Sequence, residues 1–154
     1  MNSYEYTIDK NLNFTEVLPL LVEGELEFSP DAQTIPCLYS CYGLFHGADK
    51  ELTAGAAVTF EHGEYVLKGI AVKKEYRGKG FGKLLTEYII DDLRNGGASG
   101  MYLTAKAPEF YKQFGFRVID SKTAPPISGC LNCRRFRNTC NPEIMKLDMF
   151  PADV

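Results

Sequence analysis

The stretch EYRGKGFGKLL, residues 75–85, combines three glycines with the basic side chains of Arg77, Lys79 and Lys83. It contains too much glycine for an ordinary helix. The apolar residues from its second half onward nevertheless recur at helical spacing, at Phe81, Leu84, Leu85, Tyr88 and Ile89. The sequence therefore predicts a glycine-rich turn that leads directly into a helix.

This turn has the properties of an anion cradle. Residues 65–72 before it have the composition of a strand, and the predicted helix follows it. Glycines allow a phosphate to approach backbone N–H groups, and the start of a helix adds unpaired donors and about half a positive charge. We expect the turn to bind a diphosphate; the alternative is a solvated basic turn without a ligand.

The spacing of the glycines excludes two common nucleotide-binding motifs. The phosphate-binding loop of NTPases requires G-x-x-x-x-G-K-[ST], which this stretch lacks. The dinucleotide fingerprint requires G-x-G-x-x-G and an acidic residue about twenty positions later on a parallel strand. The stretch does not fit that pattern either.

Length and charge restrict the possible classes of function. The chain has 154 residues, which suits one domain over residues 1–154. The net charge of −3 gives no bulk electrostatic reason to bind nucleic acid or an anionic membrane. There is no apolar run long enough to span a bilayer, and MNSYEYTIDK lacks the features of a signal peptide. We expect a cytoplasmic protein without nucleic-acid or membrane partners.

The hydrophobic pattern predicts an α/β fold with strands at 4–9, 36–45, 52–61, 65–72, 101–104, 116–119 and 144–149, and helices at 14–22, from 81 onward and at 108–114. Pro19 is expected to kink or shorten the first helix. The small residues Gly55, Ala56 and Ala57 indicate that another element packs closely on their strand.

Two motifs resemble those of the GNAT superfamily of N-acetyltransferases. IAVKKEYRGKGFGKLL is similar to the acetyl-CoA-binding signature [RQ]-x-x-G-x-[GA], matched by Arg77, Gly80 and Gly82. APEFYKQFGF, residues 107–116, is similar to the F-Y-x-x-x-G-F pattern that follows it in the family. The resemblance implies a mixed, mostly antiparallel sheet of six to seven strands with splayed central strands, flanked by helices.

The resemblance also assigns site residues. Those expected to bind acetyl-CoA are Ile70, Ala71, Val72, Arg77, Gly78, Lys79, Gly80, Phe81, Gly82, Lys83 and Thr104. The last of these, Thr104, replaces an asparagine that many members use to bind the pantetheine. Tyr111 is expected to protonate the leaving thiolate, a chemically suitable role for a phenol; the alternative is a tyrosine that covers the core.

The general base is not assigned by the sequence. Many members use a glutamate on the strand before the loop, but the centre of this strand, residues 66–69, has none. Glu64, Glu61 or an ordered water are the alternatives. Each glutamate taken alone is more simply interpreted as a solvated turn residue.

The expected function is transfer of an acetyl group from acetyl-CoA to an amine of a small molecule, peptide or protein by direct attack, in a monomer or homodimer. The alternative is an acyl-CoA-binding sensor or partner-binding module with weak or no catalysis. The missing strand glutamate favours this alternative, and Tyr111 favours the enzyme.

The segment 120–154, which is expected to close the domain, contains three cysteines at C-x2-C-x6-C spacing, Cys130, Cys133 and Cys140. Such spacing suits part of a zinc site, and Cys37, Cys41 or His46 could supply a fourth ligand. Free thiols are the simpler interpretation, and a labile disulfide is a third.

Overall fold

The structure, a computed structural model, describes residues 5–24, 28–105, 108–120 and 143–149. Within these ranges the elements are β1 Tyr6–Lys10, α1 Phe14–Glu23, β2 Leu38–His46, β3 Glu51–Glu61, β4 Glu64–Val72, α2 Phe81–Asn95, β5 Gly100–Ala105, α3 Pro108–Lys112, β6 Arg117–Ile119 and β7 Glu143–Asp148. Cys130, Cys133 and Cys140 lie outside the described residues.

The strands form one sheet in the order β1-β2-β3-β4-β5-β7-β6. β4 and β5 run parallel, whereas the pairs β1–β2, β2–β3, β5–β7 and β6–β7 are antiparallel. The predicted mixed, mostly antiparallel sheet with flanking helices is confirmed. In the described parts of the chain, no helix has both the length and the apolar character needed to cross a bilayer.

Residue contacts group the chain into two compact units. The first contains the described residues up to Thr59 together with Lys68–Asp92, and the second contains Phe60–Leu67 and the described residues from Leu93 onward. The first therefore includes β1, α1, β2 and most of α2, and the second includes β5, α3, β6 and β7. That residues 1–154 form a single domain stays a prediction.

The core of the first unit is formed by α1 and the small residues of β3. The buried face of α1 includes Val17, Leu18 and Leu21. A Cβ atom placed on Gly55 would lie 3.1 Å from the Cβ of Val17 and 3.4 Å from Cδ1 of Leu20. This confirms the close packing that the small residues predict, because a side chain at residue 55 would occupy the space of the helix.

Pro19 was expected to kink or shorten α1, and it does not shorten it. The helix continues beyond it to Glu23. The backbone N–H of Asn13 donates to the carboxylate of Glu16 at 2.9 Å, which stabilises the first turn. Burial of the apolar face compensates for the one hydrogen bond that proline cannot donate.

The second unit has its own smaller core. Val66 on β4 and Tyr102 on β5 pack with Ile144 on β7. β5 and β7 approach closely at Gly100, where an added Cβ would lie 3.0 Å from the carbonyl oxygen of Leu147.

Candidate functional site

The predicted anion cradle lies between β4 and α2 and begins with a short helical turn. β4 ends at Val72, a single 3₁₀ turn covers Lys74–Tyr76, and α2 begins at Phe81. Gly78 and Gly80 have φ angles of 82° and 87°, a conformation that side chains other than glycine rarely adopt. We call residues 77–83 the diphosphate loop from here on.

The start of α2 offers unpaired backbone donors to this loop. The first backbone hydrogen bond of the helix runs from the N–H of Leu84 to the carbonyl oxygen of Gly80, at 3.1 Å. The amides of Gly82 and Lys83 have no carbonyl one turn earlier in the helix. Together with the helix dipole, these N–H groups favour an anion at this point.

The loop is accessible, and positive charges surround it. An added Cβ on Gly78 or on Gly80 would have no atom within 4 Å. The side chains of Lys79 and Lys83 are exposed. Arg77 is exposed too, and its Nε donates to the carbonyl oxygen of Val72 at 3.0 Å, which holds the loop against the end of β4. The backbone at these two glycines is therefore open to a ligand.

The strand that leads to the loop alternates between covered and more accessible residues. Ala71 is buried and packs in the core cluster that contains Phe14 and Leu21. Its neighbours Ile70 and Val72 are only partly buried. Ala71 thus contributes packing with its side chain, and only its backbone is available to a ligand.

Tyr111 lies on α3 in an aromatic environment. Its ring contacts those of Phe110 and Phe116 edge-on, with centroids 5.0 and 5.9 Å apart. Removal from water raises the pKa of the Tyr111 phenol to about 12, because the charged form is poorly solvated there. The hydroxyl therefore stays protonated at neutral pH and can donate. Thr104, partly buried on β5, stands opposite Ile144 of β7 in the sheet.

The two glutamates considered as bases differ in environment. β3 extends to residue 61, so Phe60 faces solvent, with 46% of its surface exposed, and Glu61 is buried, with 4% exposed. The expectation of a solvated turn position is therefore wrong for Glu61. Glu64 is partly buried at the start of β4. Because a strand rises about 3.3 Å per residue, Glu64 lies about 20 Å along β4 from Ile70.

The candidate metal ligands on the early strands have other surroundings. Cys37 is exposed and Cys41 is buried, and both are free thiols. The ring of His46 contacts those of Tyr76 and Phe81, at centroid distances of 5.4 and 5.0 Å. Among the described residues, no group of three or more His, Cys, Asp or Glu side chains could hold a metal ion. Cys130, Cys133 and Cys140 lie outside these residues.

Sequence reasoning missed the side chains that support the loop. Glu51, the first residue of β3, contacts Lys73 and Tyr76 on either side of the 3₁₀ turn. These partners are 22 and 25 positions away, so no local motif marks them. Only the strand pairing, which brings the start of β3 beside the end of β4, could have indicated the contact.

A family model described as an acetyltransferase (GNAT) domain matches residues 40–118, just over half of the chain. The chain belongs to the GNAT acetyltransferase family. The matched range includes the diphosphate loop and the F-Y-x-x-x-G-F segment, so the resemblance seen in the sequence is confirmed. A search of curated protein sequences found no significant match.

Solved structures with the same fold include three that illustrate its range. The ribosomal-protein-S18-alanine N-acetyltransferase of Escherichia coli is 20% identical with a TM-score of 0.65, and 97% of this chain and 99% of that chain are covered. A GNAT family acetyltransferase of Staphylococcus aureus is 17% identical with a TM-score of 0.69, over 95% of this chain and 100% of that chain.

The third is N-acetylglutamate synthase of Neisseria gonorrhoeae, complexed with coenzyme A and N-acetyl-glutamate. It is 20% identical with a TM-score of 0.72, and 95% of this chain covers 35% of that chain. This chain therefore spans about a third of that enzyme. At these identities the likeness concerns the fold.

Proposed function

We propose that the chain transfers the acetyl group of acetyl-CoA, the cosubstrate of the family, to an amine of a small molecule, peptide or protein. The observation that supports this most directly is the diphosphate loop. Gly78 and Gly80 hold a left-handed backbone in open space immediately before α2. Binding coenzyme A requires such an arrangement of donors, and a purely structural turn does not.

In this proposal, the diphosphate of the cosubstrate accepts hydrogen bonds from the amides of Gly82 and Lys83. Lys79 and Lys83 neutralise part of its charge, and Arg77 keeps the loop attached to β4. The pantetheine arm pairs with the backbone of Ile70 and Val72 as an additional strand would. Family resemblance supports this last contact, and also the contact assigned to Thr104.

The reaction is a direct displacement. The amine nitrogen attacks the thioester carbonyl carbon, a C–N bond forms, and the C–S bond breaks with its electron pair going to sulfur. The attacking nitrogen loses a proton, and the thiolate gains one. Orientation of the two reactants and polarisation of the carbonyl by a backbone N–H near Val72 supply most of the acceleration.

Tyr111 acts on the leaving thiolate. With a pKa of about 12, its phenol remains a donor throughout the neutral range. A thiol has an ordinary pKa of about 8.5, so the phenol is the weaker acid of the two. Its contribution is therefore chiefly a hydrogen bond to sulfur as the negative charge develops, with solvent supplying the final proton.

Deprotonation of the amine is assigned to an ordered water. The position of Glu64, about 20 Å along β4 from Ile70, separates it from the part of the strand that the family uses near the thioester. Glu61 precedes Glu64 across the same hairpin turn and shares this difficulty. An amine that enters in its neutral form needs no stronger base.

A binding module without catalysis is the second candidate. The absence of any carboxylate from residue 66 to residue 69 is the observation that favours it. Such a protein would bind coenzyme A through the same loop, so binding alone does not separate the two functions.

The test measures thiol release from acetyl-CoA with a panel of amines, for the natural chain, Tyr111→Phe and Tyr39→Phe. We expect amine-dependent release in the natural chain and about 10²-fold slower chemistry in Tyr111→Phe. Coenzyme A affinity should be unchanged. The matched control Tyr39→Phe removes an exposed hydroxyl and should behave as the natural chain does.

Two outcomes would revise this function. Coenzyme A binding without release for any amine supports the binding module. Equal single-turnover rates for Tyr111→Phe and the natural chain would leave the phenol a packing role only. Because the donor is lost only as pH rises towards about 12, the rate ratio of the two proteins should be constant from about pH 7 to about pH 9.

A further inference from the structure

The carboxylate of Glu51 bridges the two ends of the 3₁₀ turn that precedes the diphosphate loop. Its Oε2 accepts from the Nζ of Lys73, and its Oε1 accepts from the hydroxyl of Tyr76 at 3.1 Å. The backbone reinforces the connection, since the N–H of Lys73 donates to the carbonyl oxygen of Thr53 at 2.7 Å. The start of β3 thus holds both sides of the turn.

Aromatic contacts extend this support from the turn to α2. The ring of Tyr76 packs edge-on against that of His46, 5.4 Å away, and His46 packs against Phe81 at 5.0 Å. Phe81 is buried, with 1% of its surface exposed, and is the first residue of α2. Tyr76, which precedes Arg77, and Phe81, which begins α2, therefore both pack against the ring of His46.

We infer that Glu51 is a positioning residue for the diphosphate loop: it holds Lys73 and Tyr76 so that the loop glycines keep the conformation that leads into α2. The inference rests on the proposed coenzyme A site. Glu51 does not contact the cosubstrate. Its effect on affinity arises because only the held conformation of the loop binds the diphosphate, so apparent affinity falls with the fraction of molecules in that conformation.

Simple electrostatics predicts the opposite change in coenzyme A affinity. Coenzyme A is an anion, and removing a carboxylate near its phosphates should tighten binding. Loss of Glu51 also releases the charge of Lys73, whose pKa is raised by its hydrogen bond to this carboxylate. Charge alone therefore predicts tighter binding for a Glu51 variant, and positioning predicts weaker binding.

The experiment compares coenzyme A affinities, measured by calorimetry, for the natural chain, Glu51→Gln, Glu51→Ala and Glu75→Gln. Glu75 is an exposed residue of the same 3₁₀ turn, so its variant removes the same charge without the bridge. We expect about tenfold weaker binding for both Glu51 variants and equal or tighter binding for Glu75→Gln. Equal or tighter binding in Glu51→Gln would overturn the inference.

A second readout separates loop positioning from general damage to the fold. S-acetyl-pantetheine lacks the diphosphate, so its kcat/KM should be the same in the natural chain and in Glu51→Gln. A decrease equal to that seen with acetyl-CoA would overturn the positioning role. Failure of the proposed coenzyme A site has a different signature, because the natural chain itself would then show no coenzyme A affinity; loss of catalysis alone would appear as affinity without turnover of either thioester.

Tyr76→Phe tests the same bridge from its other end. It removes the hydroxyl that donates to Glu51 and keeps the ring against His46. Combined with Glu51→Gln, it should weaken coenzyme A binding by less than the product of the two single effects, because both remove one interaction. A fully multiplicative double variant would contradict the bridge.

Discussion

The two ends of α2 have glycines of similar conformation and different chemistry. Gly80 before the helix has a φ of 87°, Gly97 after it has a φ of 95°, and an added Cβ on either would meet nothing within 4 Å. At the second end the backbone closes on itself. The N–H of Gly97 donates to Arg94 at 3.0 Å, and that of Ala98 donates to Leu93 at 2.9 Å.

The difference lies in which polar groups remain available. At the start of α2 the donors of Gly82 and Lys83 have no partner within the helix, and basic side chains surround them. At its end, two of the terminal carbonyls already accept backbone N–H groups. A left-handed glycine alone therefore indicates only a turn. Backbone N–H groups that have no partner within the helix, next to basic side chains, indicate an anion site.

The strongest test of this difference between the two ends of α2 is to add the same side chain at each end. Gly80→Glu places a negative charge where the diphosphate is expected and should weaken coenzyme A binding by about 100-fold or more. Gly97→Glu should leave affinity unchanged. Both variants should lose about 1–2 kcal/mol of stability, because both positions are left-handed. Calorimetry with coenzyme A and chemical denaturation measure the two quantities.

Unchanged coenzyme A affinity in a folded Gly80→Glu variant would remove the diphosphate from this loop. Equal weakening in both variants would mean that α2 responds as a whole and that its two ends are not distinct.

A second prediction concerns the last turns of the helix, where side chains serve stability. Asp92 accepts from the hydroxyl of Tyr42 at 2.8 Å and from Lys10 at 2.9 Å. Tyr42 is fully buried. Asp92→Ala should lower the free energy of unfolding by about 1–3 kcal/mol, since a buried hydroxyl loses its acceptor. Coenzyme A affinity should stay within about twofold of the natural value, a smaller change than the loss of one hydrogen bond to the ligand would cause.

The control removes both partners of this hydrogen bond. Tyr42→Phe combined with Asp92→Ala should be more stable than Asp92→Ala alone, because no polar group is then buried without a partner. Denaturant titrations of the natural chain and the two variants measure this difference. A double variant that is less stable than Asp92→Ala would assign the effect to packing.

The smallest expected effect concerns a single charge within the diphosphate loop. Lys79→Gln should weaken coenzyme A binding by about threefold, the usual size for an exposed charge pair. The difference from the natural chain should shrink as salt is raised to about 0.5 M, since exposed charges are then screened. An effect of Lys79→Gln that is independent of salt would point to a direct, desolvated contact instead.

Much of the fold followed from local patterns. The expected strands and helices are present with ends shifted by a few residues, and the small residues around Gly55 correctly predicted a close neighbour. The loop was recognisable because all its functional features lie within eleven consecutive residues. Where the residues of a binding site are contiguous in the chain, the sequence is sufficient to predict that site.

The supporting residues were not predictable in this way. Glu51 and Asp92 are charged residues that composition alone assigns to a solvated surface, but their partners lie 22 to 82 positions away. Burial of Glu61 was missed for a related reason. The predicted strand already ended at Glu61, but the turn signals in EHGE suggest a solvated residue and do not reveal that its side of the strand is covered.

The contact between Gly55 and α1 also limits how this chain can vary. The atoms nearest to an added carbon are Cβ and Cγ1 of Val17, and because that Cβ is fixed to the helix backbone, α1 would have to shift by a few tenths of an ångström to admit it. In a comprehensive substitution library selected for folding, position 55 should retain glycine almost alone, while exposed positions of α1 such as Thr15 accept many residues. Diversity introduced to alter this protein's specificity is therefore better placed away from that contact.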